Sequence, residues 1–324
     1  MSLQMRKTVC FIWLLAALCA VFLSGCGAEP EESRVDLADS IGGSSIVTAA
    51  DLIAFLEKGE SDTATLSGDI SLEEEMLCIT KERSGLVIDG NGFTISGAGD
   101  CVIRLEDGCA ITLLDITIHS GSDAIGCLGD ASIGGSGINL IGVGNGIRAN
   151  GQLTVLAGGD MVAKANIGTG VIASGIILEN EASLTAQGPM GGISVIHGDI
   201  LLSGGARLAA YTEENYNALK CGGMLAMEDG ASLIVENMGQ YHGAEINDLA
   251  VEGAVTIQAK GGENSSGLFL FEQLTDITVA GYCEPGPRFE SGKGSIEFVE
   301  RVEDVPPMET PNPTSTPESD AETE

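Results

Sequence analysis

The sequence predicts an all-β fold, a single parallel β-helix of about nine coils with a short N-terminal capping helix. The first observation is a pattern of a small residue, an apolar residue and a second apolar residue two places later, which recurs from about Ile79 to Val279. Successive copies lie 22, 22, 24, 22, 26, 25 and 24 residues apart. The first apolar residues of the copies are Ile103, Ile125, Ile147, Val171, Ile193, Leu219, Ala244 and Leu268. Such a regular period is typical of a repeat protein, in which each coil packs only on its neighbours.

The second observation is that each later period contains three short sets of alternating apolar residues. One such period contains Ile193/Val195, Ile200/Leu202 and Leu208/Ala210. Three short strands per coil are what a parallel β-helix requires, because each strand pairs with its copy in the next coil. The composition agrees, since 46 glycines and 4% aromatic residues suit short strands joined by tight turns.

The charge of the chain restricts the kinds of molecule that it can bind. Forty-seven acidic and 15 basic residues give a net charge of -32, which repels the phosphate backbone of nucleic acids. We therefore expect no nucleic-acid binding.

The N-terminal segment has the parts of a secretory signal. Arg6 and Lys7 precede an apolar run from Val9 to Phe22, which is short for a membrane span. The run ends in the sequence Leu-Ser-Gly-Cys at residues 23–26, which closely resembles the lipobox of bacterial lipoproteins. The resemblance implies cleavage before Cys26, a lipid on its thiol, and a membrane-anchored protein on the extracytoplasmic side of a bacterial envelope. The alternative is an ordinary signal peptide with a chance cysteine.

The remaining segments follow from changes in composition. Residues 1–25 are the expected signal peptide, and residues 26–45, which are polar and acidic, are the expected flexible tether. Thr48 and Asp51 resemble a capping box, so a helix is predicted from there to Gly59. We expect this helix to cover the open end of the solenoid. We assign residues 46–299 to the capped β-helix. Residues 300–324 are rich in Pro, Thr and acidic residues and are predicted to be disordered.

Residues 63–299 resemble the right-handed parallel β-helix, or pectate-lyase-like, superfamily. The likeness is strongest in the Val-Ile-Asp-Gly-Asn-Gly-Phe-Thr-Ile run at residues 87–95. The resemblance implies a right-handed solenoid and raises the possibility of a polysaccharide lyase or hydrolase. The Asp-Asp, Gly-His-Gly and Arg-x-Lys motifs of polygalacturonase-like hydrolases do not occur, and no acidic cluster shares the register of Arg104 and Arg148. We therefore predict no catalytic residues.

Acidic residues at a 24-residue spacing are candidates for calcium binding. They form two series, Glu228, Glu252 and Asp276, and Asp248 and Glu272. Stacked carboxylates repel unless a cation or proton lies between them, and pectate-lyase relatives bind calcium with acidic clusters. Solvated turn residues are the favoured interpretation, so we predict no cofactor and leave Ca²⁺ open.

Residues at the same position of successive coils form a column, and one column is polar. It lies two residues before each anchor and contains Cys101, Asp123, Asn145, Thr169, Gly191, Asn217, His242 and Ser266. Asn, Asp and Gly tolerate the backbone of a tight corner, so a structural role is predicted for it.

One position earlier, Tyr216 and Tyr241 are 25 residues apart, with His242 and Lys220 nearby. Exposed aromatic rings beside hydrogen-bonding groups bind sugar rings through their apolar faces. These four residues are the candidate ligand site, and two tyrosines packed on each other are the alternative. The favoured function is non-catalytic binding of an extracellular polysaccharide or envelope component. The alternatives are an enzyme of the fold and a passive, adhesin-like spacer.

Cysteine positions give no clear disulfide. Cys127 and Cys221 share an inward register but lie four coils apart, too far to bridge. A bridge between Cys78 and Cys101, one coil apart, stays open.

Overall fold

The computed structural model describes residues 44–58, 61–272, 275–292 and 294–299 as a right-handed parallel solenoid of about ten turns. The predicted parallel β-helix is therefore confirmed, with a coil count close to the predicted one. The predicted signal peptide, Cys26 and the predicted C-terminal tail lie outside the described residues. No helix among the described residues is long and apolar enough to cross a membrane.

Three strands per coil stack into three faces. The first face contains β4 (Leu77–Ile79), β7 (Cys101–Leu105), β9 (Asp123–Cys127), β11 (Ile147–Ala149), β14 (Val171–Ala173), β17 (Ile193–Val195), β24 (Leu268–Glu272) and β26 (Arg288–Phe289). The second contains β1 (Ser44–Ile46), β2 (Thr63–Leu66), β5 (Leu86–Asp89), β12 (Gln152–Val155), β15 (Gly175–Leu178) and β18 (Ile200–Leu202). The third contains β3 (Ile70–Ser71), β6 (Thr94–Gly97), β13 (Asp160–Ala165), β16 (Ser183–Gln187), β19 (Arg207–Thr212), β21 (Ser232–Asn237), β23 (Thr256–Lys260), β25 (Ile277–Glu284) and β27 (Ile296–Val299).

Four longer strands run through a corner and pair on two faces. They are β8 (Cys109–Ser120), β10 (Ala131–Gly142), β20 (Leu219–Met227) and β22 (Ala244–Val251). The first two join the second and third faces, and the last two join the first and second faces.

The anchor residues of the repeat pair with one another across coils. Ile103 pairs with Ile125, and Ile125 pairs with Ile147. The series continues at the same position to Leu268. All of the anchors are almost completely buried, and each buried Leu or Ile side chain stabilises the fold by about 1.5–3 kcal/mol. The columns read from the sequence are therefore true columns of the solenoid.

The predicted capping helix is α1 (Ala49–Lys58), which buries Leu52, Phe55 and Leu56. The Thr48 hydroxyl accepts a hydrogen bond from the Asp51 N–H at 3.2 Å. In return, the Asp51 carboxylate accepts hydrogen bonds from the Thr48 N–H at 3.0 Å and hydroxyl at 2.8 Å. These bonds lower the pKa of Asp51, and they form the capping box that the sequence predicts.

All six cysteines among the described residues are free thiols. The bridge between Cys78 and Cys101 is therefore not formed; Cys78 is exposed and Cys101 is buried. Burial raises the pKa of Cys127 to about 12 and that of Cys221 to about 11. These buried thiols act as small apolar core residues.

Candidate ligand-binding site

The polar column lines the corner between the third and first faces, where four of its side chains accept backbone N–H groups from the next coil. Asp123 Oδ1 accepts hydrogen bonds from the Asn145 N–H at 2.9 Å and from Asn145 Nδ2 at 2.8 Å. Asn145 Oδ1 accepts the Thr169 N–H at 3.1 Å. The column therefore satisfies corner backbone groups that no strand can pair.

The same ladder returns in the coils that carry the two tyrosines. Asn217 Oδ1 accepts the His242 N–H at 3.1 Å, and His242 Nδ1 accepts the Ser266 N–H at 3.0 Å. His242 thus occupies a corner position that Asp and Asn fill elsewhere. Because Nδ1 accepts a hydrogen bond, the imidazole is neutral, with its proton on Nε2.

Tyr216 and Tyr241 lie on the loops at this corner, residues 213–218 and 238–243. Their side chains are 48% and 49% exposed. The rings do not stack on each other, since the ring contacts among the described residues involve His242, Phe269 and Phe271. The alternative of two tyrosines packed together therefore does not describe this corner, and both rings are open to solvent.

The buried Asn237 side chain forms hydrogen bonds with both tyrosine loops. Its side chain is 1% exposed, and Nδ2 donates hydrogen bonds to the carbonyl oxygens of Tyr216 at 2.5 Å and His242 at 3.1 Å. Its Oδ1 accepts the Gly239 N–H at 2.7 Å. One buried amide thus fixes the backbone beside both tyrosines, so each ring projects from a held loop.

His242 is packed among aromatic and charged side chains. Its ring stacks on Phe269 with centroids 4.6 Å apart and planes at 14°, and Phe271 meets Phe269 edge to face at 5.0 Å. The Arg288 guanidinium lies 5.7 Å from the Phe269 centroid. Burial lowers the pKa of His242, and the neighbouring Glu245 carboxylate opposes this shift.

Lys220 lies on the outer side of the first face, in the column one residue after the anchors. Its Nζ is 3.1 Å from Glu245 Oε1, and Asn217 Nδ2 donates to Glu245 Oε2 at 2.8 Å. The ammonium stays half-exposed. Lys220 is therefore connected to the corner ladder through one carboxylate.

Sequence reasoning singled out Lys220 but missed Glu245, Phe269 and Arg288, which continue its column in the next coils. Lys220 pairs with Glu245, Glu245 with Phe269, and Phe269 with Arg288. The signal was available, because the position after each anchor gives the outward side chain of the first strand. It was not used because Phe269 resembles a core residue within an apolar run.

The first acidic series lies at exposed positions between strands, whereas the second lies on the paired strands β22 and β24. Asp248 pairs in register with Glu272, and Glu228, Glu252 and Asp276 are all exposed. Asp229, beside Glu228, accepts the Ala254 N–H at 2.7 Å in a turn. Within the described ranges, no group of three or more His, Cys, Asp or Glu side chains is placed to hold a metal ion.

No protein-family model matches the sequence, and no curated protein matches it. A solved structure described as "L. reuters 100-23 SRRP" is similar, with a TM-score of 0.43 and 11% identity, and the match covers 84% of this chain and 99% of that one. The likeness is distant, and the fold assignment rests on the strand register.

Proposed function

We propose that the protein binds an extracellular polysaccharide or envelope component, without catalysis, through Tyr216 and Tyr241. The observation that supports this proposal is that both rings are about half-exposed on adjacent, hydrogen-bonded loops. A rigid aromatic face in water has an apolar surface that sugar C–H groups cover favourably. Holding the loops in place before binding lowers the ordering entropy that association costs.

Lys220 and His242 have different roles in this proposal. The half-exposed Lys220 ammonium is the group that donates hydrogen bonds to ligand oxygens. His242 acts mainly through position, because its Nδ1 is already engaged by the Ser266 N–H. It holds the Tyr241 loop against the next coil.

We place the protein at the outer side of a bacterial membrane, anchored by a lipid on Cys26. This proposal rests on the N-terminal sequence alone. Its test is fractionation of cells that express the wild type or Cys26→Ala. Wild-type protein in membranes and the variant in the soluble fraction support the anchor, and equal membrane association of both contradicts it.

The binding proposal is tested on a glycan array with the full-length protein in detergent. Tyr216→Ala combined with Tyr241→Ala removes both rings without touching the ladder. We expect binding to fall by about tenfold or more, because each buried aromatic face is worth about 1 kcal/mol or more. Leu128→Ala combined with Ile196→Ala is the matched control, since these similarly exposed apolar residues follow strands β9 and β17, at a different corner of the coil.

Other outcomes point to the alternative functions. Release of unsaturated or reducing ends from a polysaccharide identifies an enzyme of the fold. If neither glycan binding nor polysaccharide cleavage is detected, the protein is a passive, adhesin-like spacer. Array binding that survives the double tyrosine substitution would show a binder whose site lies elsewhere.

A further inference from the structure

A groove of about 490 Å³ lies on the second face, away from the tyrosine corner. It crosses four successive coils, because its wall includes residues of β12, β15, β18 and β20. Three strand spacings give it a length of about 14 Å along the solenoid. This volume lies within the range of about 300–1,000 Å³ that is usual for small-ligand sites.

The floor of the groove is apolar, although its side chains face outward and do not contribute to the core. Ile177, Leu201 and Ala226 pair in register on the outward side of the strands. Their inward neighbours Ile176 and Ile200 are fully buried and already fill the core. Outward positions of a solvated sheet are usually polar, so two large aliphatic side chains here form a surface that another molecule can cover.

One edge of the groove carries two fixed carboxylates. Asp130 Oδ1 accepts the Gln152 N–H at 2.8 Å, and Asp199 Oδ1 accepts the Met224 N–H at 2.8 Å. In the described part of the chain, the second oxygen of each carboxylate has no hydrogen-bond partner. No basic side chain lines the groove among the described residues.

We infer that this groove binds uncharged polysaccharide as a second subsite, separate from the tyrosine corner. The inference rests on the proposed function and names its sugar class. The aliphatic floor packs against the C–H face of a sugar chain, and the free carboxylate oxygens accept hydrogen bonds from its hydroxyls. The same carboxylates repel acidic sugars, and no cation in the groove compensates.

The test titrates the full-length protein in detergent with size-matched hexasaccharides by calorimetry. Cellohexaose, mannohexaose and chitohexaose are the uncharged probes, and hexagalacturonate is the acidic probe. Ile177→Ala combined with Leu201→Ala shrinks the floor, and Ile172→Ala is the control because it removes an outward aliphatic side chain from the first face. We expect an uncharged probe to lose affinity by about tenfold or more in the floor variant, since the variant removes apolar surface that the sugar chain covers.

A second variant tests the edge. Asp199→Asn keeps an oxygen for the Met224 N–H, removes the charge, and replaces the free oxygen by an NH2 that donates to a sugar hydroxyl instead of accepting from it. The uncharged probe should therefore bind within about threefold of wild type while hexagalacturonate gains affinity. Three results overturn the inference: no uncharged probe binds, the floor variant binds as wild type does, or hexagalacturonate binds wild type most tightly. Array binding that depends on Tyr216 and Tyr241 would still support the proposed function in each case.

Discussion

Two stretches of the same corner use one structural device and differ in what they expose. The corners at Asn145 and Asn217 both satisfy the next coil through a side-chain oxygen. The loop before β11 has four residues, 143–146, whereas the loops before β20 and β22 have six each, 213–218 and 238–243. The ladder position is fixed by the fold in both stretches. The position before it carries a tyrosine in the two longer loops, whereas the shorter loops carry Gly144, Gly168 or Met190 there.

Glycines explain why two of the shorter loops carry no side chain at the tyrosine position. The position occupied by Tyr216 and Tyr241 holds Gly144 and Gly168 in earlier coils. A Cβ at Gly168 would collide with the Gly144 carbonyl oxygen, and one at Gly144 would lie 2.9 Å from Asp123 Oδ1. The neighbouring backbone at Gly168 and the Asp123 carboxylate at Gly144 therefore leave too little room for a side chain at these two glycines.

The largest effect is expected from moving a tyrosine into the short loop. Gly168→Tyr places a side chain where the Gly144 carbonyl lies, so the free energy of unfolding should fall by about 3 kcal/mol or more. Thermal and urea denaturation measure this change. Tyr216→Gly, the reverse exchange, should cost about 1 kcal/mol or less. Equal stability of Gly168→Tyr and wild type would contradict the steric difference between the two stretches.

A smaller effect is expected at the amide that joins the tyrosine loops. Asn237→Ala removes three hydrogen bonds of a buried amide, including its bond to the Tyr216 carbonyl and the one it accepts from the Gly239 N–H, which should lower the free energy of unfolding by about 2–3 kcal/mol. Glycan binding should weaken as well, because the loops lose their support.

Asn145→Ala provides the matched comparison for Asn237→Ala. It breaks ladder bonds in the shorter-loop stretch, so it should lower stability while leaving glycan binding unchanged. The exposed Asn180→Ala should change neither quantity. If Asn145→Ala weakened binding as much as Asn237→Ala, the two stretches would not be functionally distinct.

The smallest effect is a pH dependence at His242. Burial lowers its pKa below the ordinary value of 6.5, so the unfolded chain binds a proton more readily than the folded one. Its contribution to stability is fully present above pH 6.5 and is lost as the pH falls through the lowered folded pKa.

Melting temperatures across this range test the effect. In His242→Gln, the part of the decrease in melting temperature at low pH that arises from His242 should vanish. The exposed His197→Gln should behave as wild type. An unchanged pH profile in His242→Gln would mean that the ladder bond to Ser266 does not require a neutral imidazole.

Much of the fold could be predicted because its repeat is visible in the residues. The anchors from Ile103 to Leu268 repeat at nearly constant spacing, and the capping box at Thr48 and Asp51 is a local signal. The corner role of Asn145 and Asn217 also followed from residue type.

The site was only partly predictable, because it depends on contacts between coils with little local signal. Nothing in the sequence around Asn237 indicates that its amide reaches the carbonyls of Tyr216 and His242. The apolar groove floor at Ile177 and Leu201 resembles a core strand in the sequence, because alternation alone does not separate an inward from an outward aliphatic residue.

The most direct test of the tyrosine site is hydroxyl-radical footprinting of the full-length protein with and without its best array ligand. We expect oxidation of Tyr216 and Tyr241 to slow several-fold on binding, while oxidation of the similarly exposed Leu128 is unaffected. Equal oxidation of both tyrosines in the free and bound protein would contradict the claim that this corner binds the ligand.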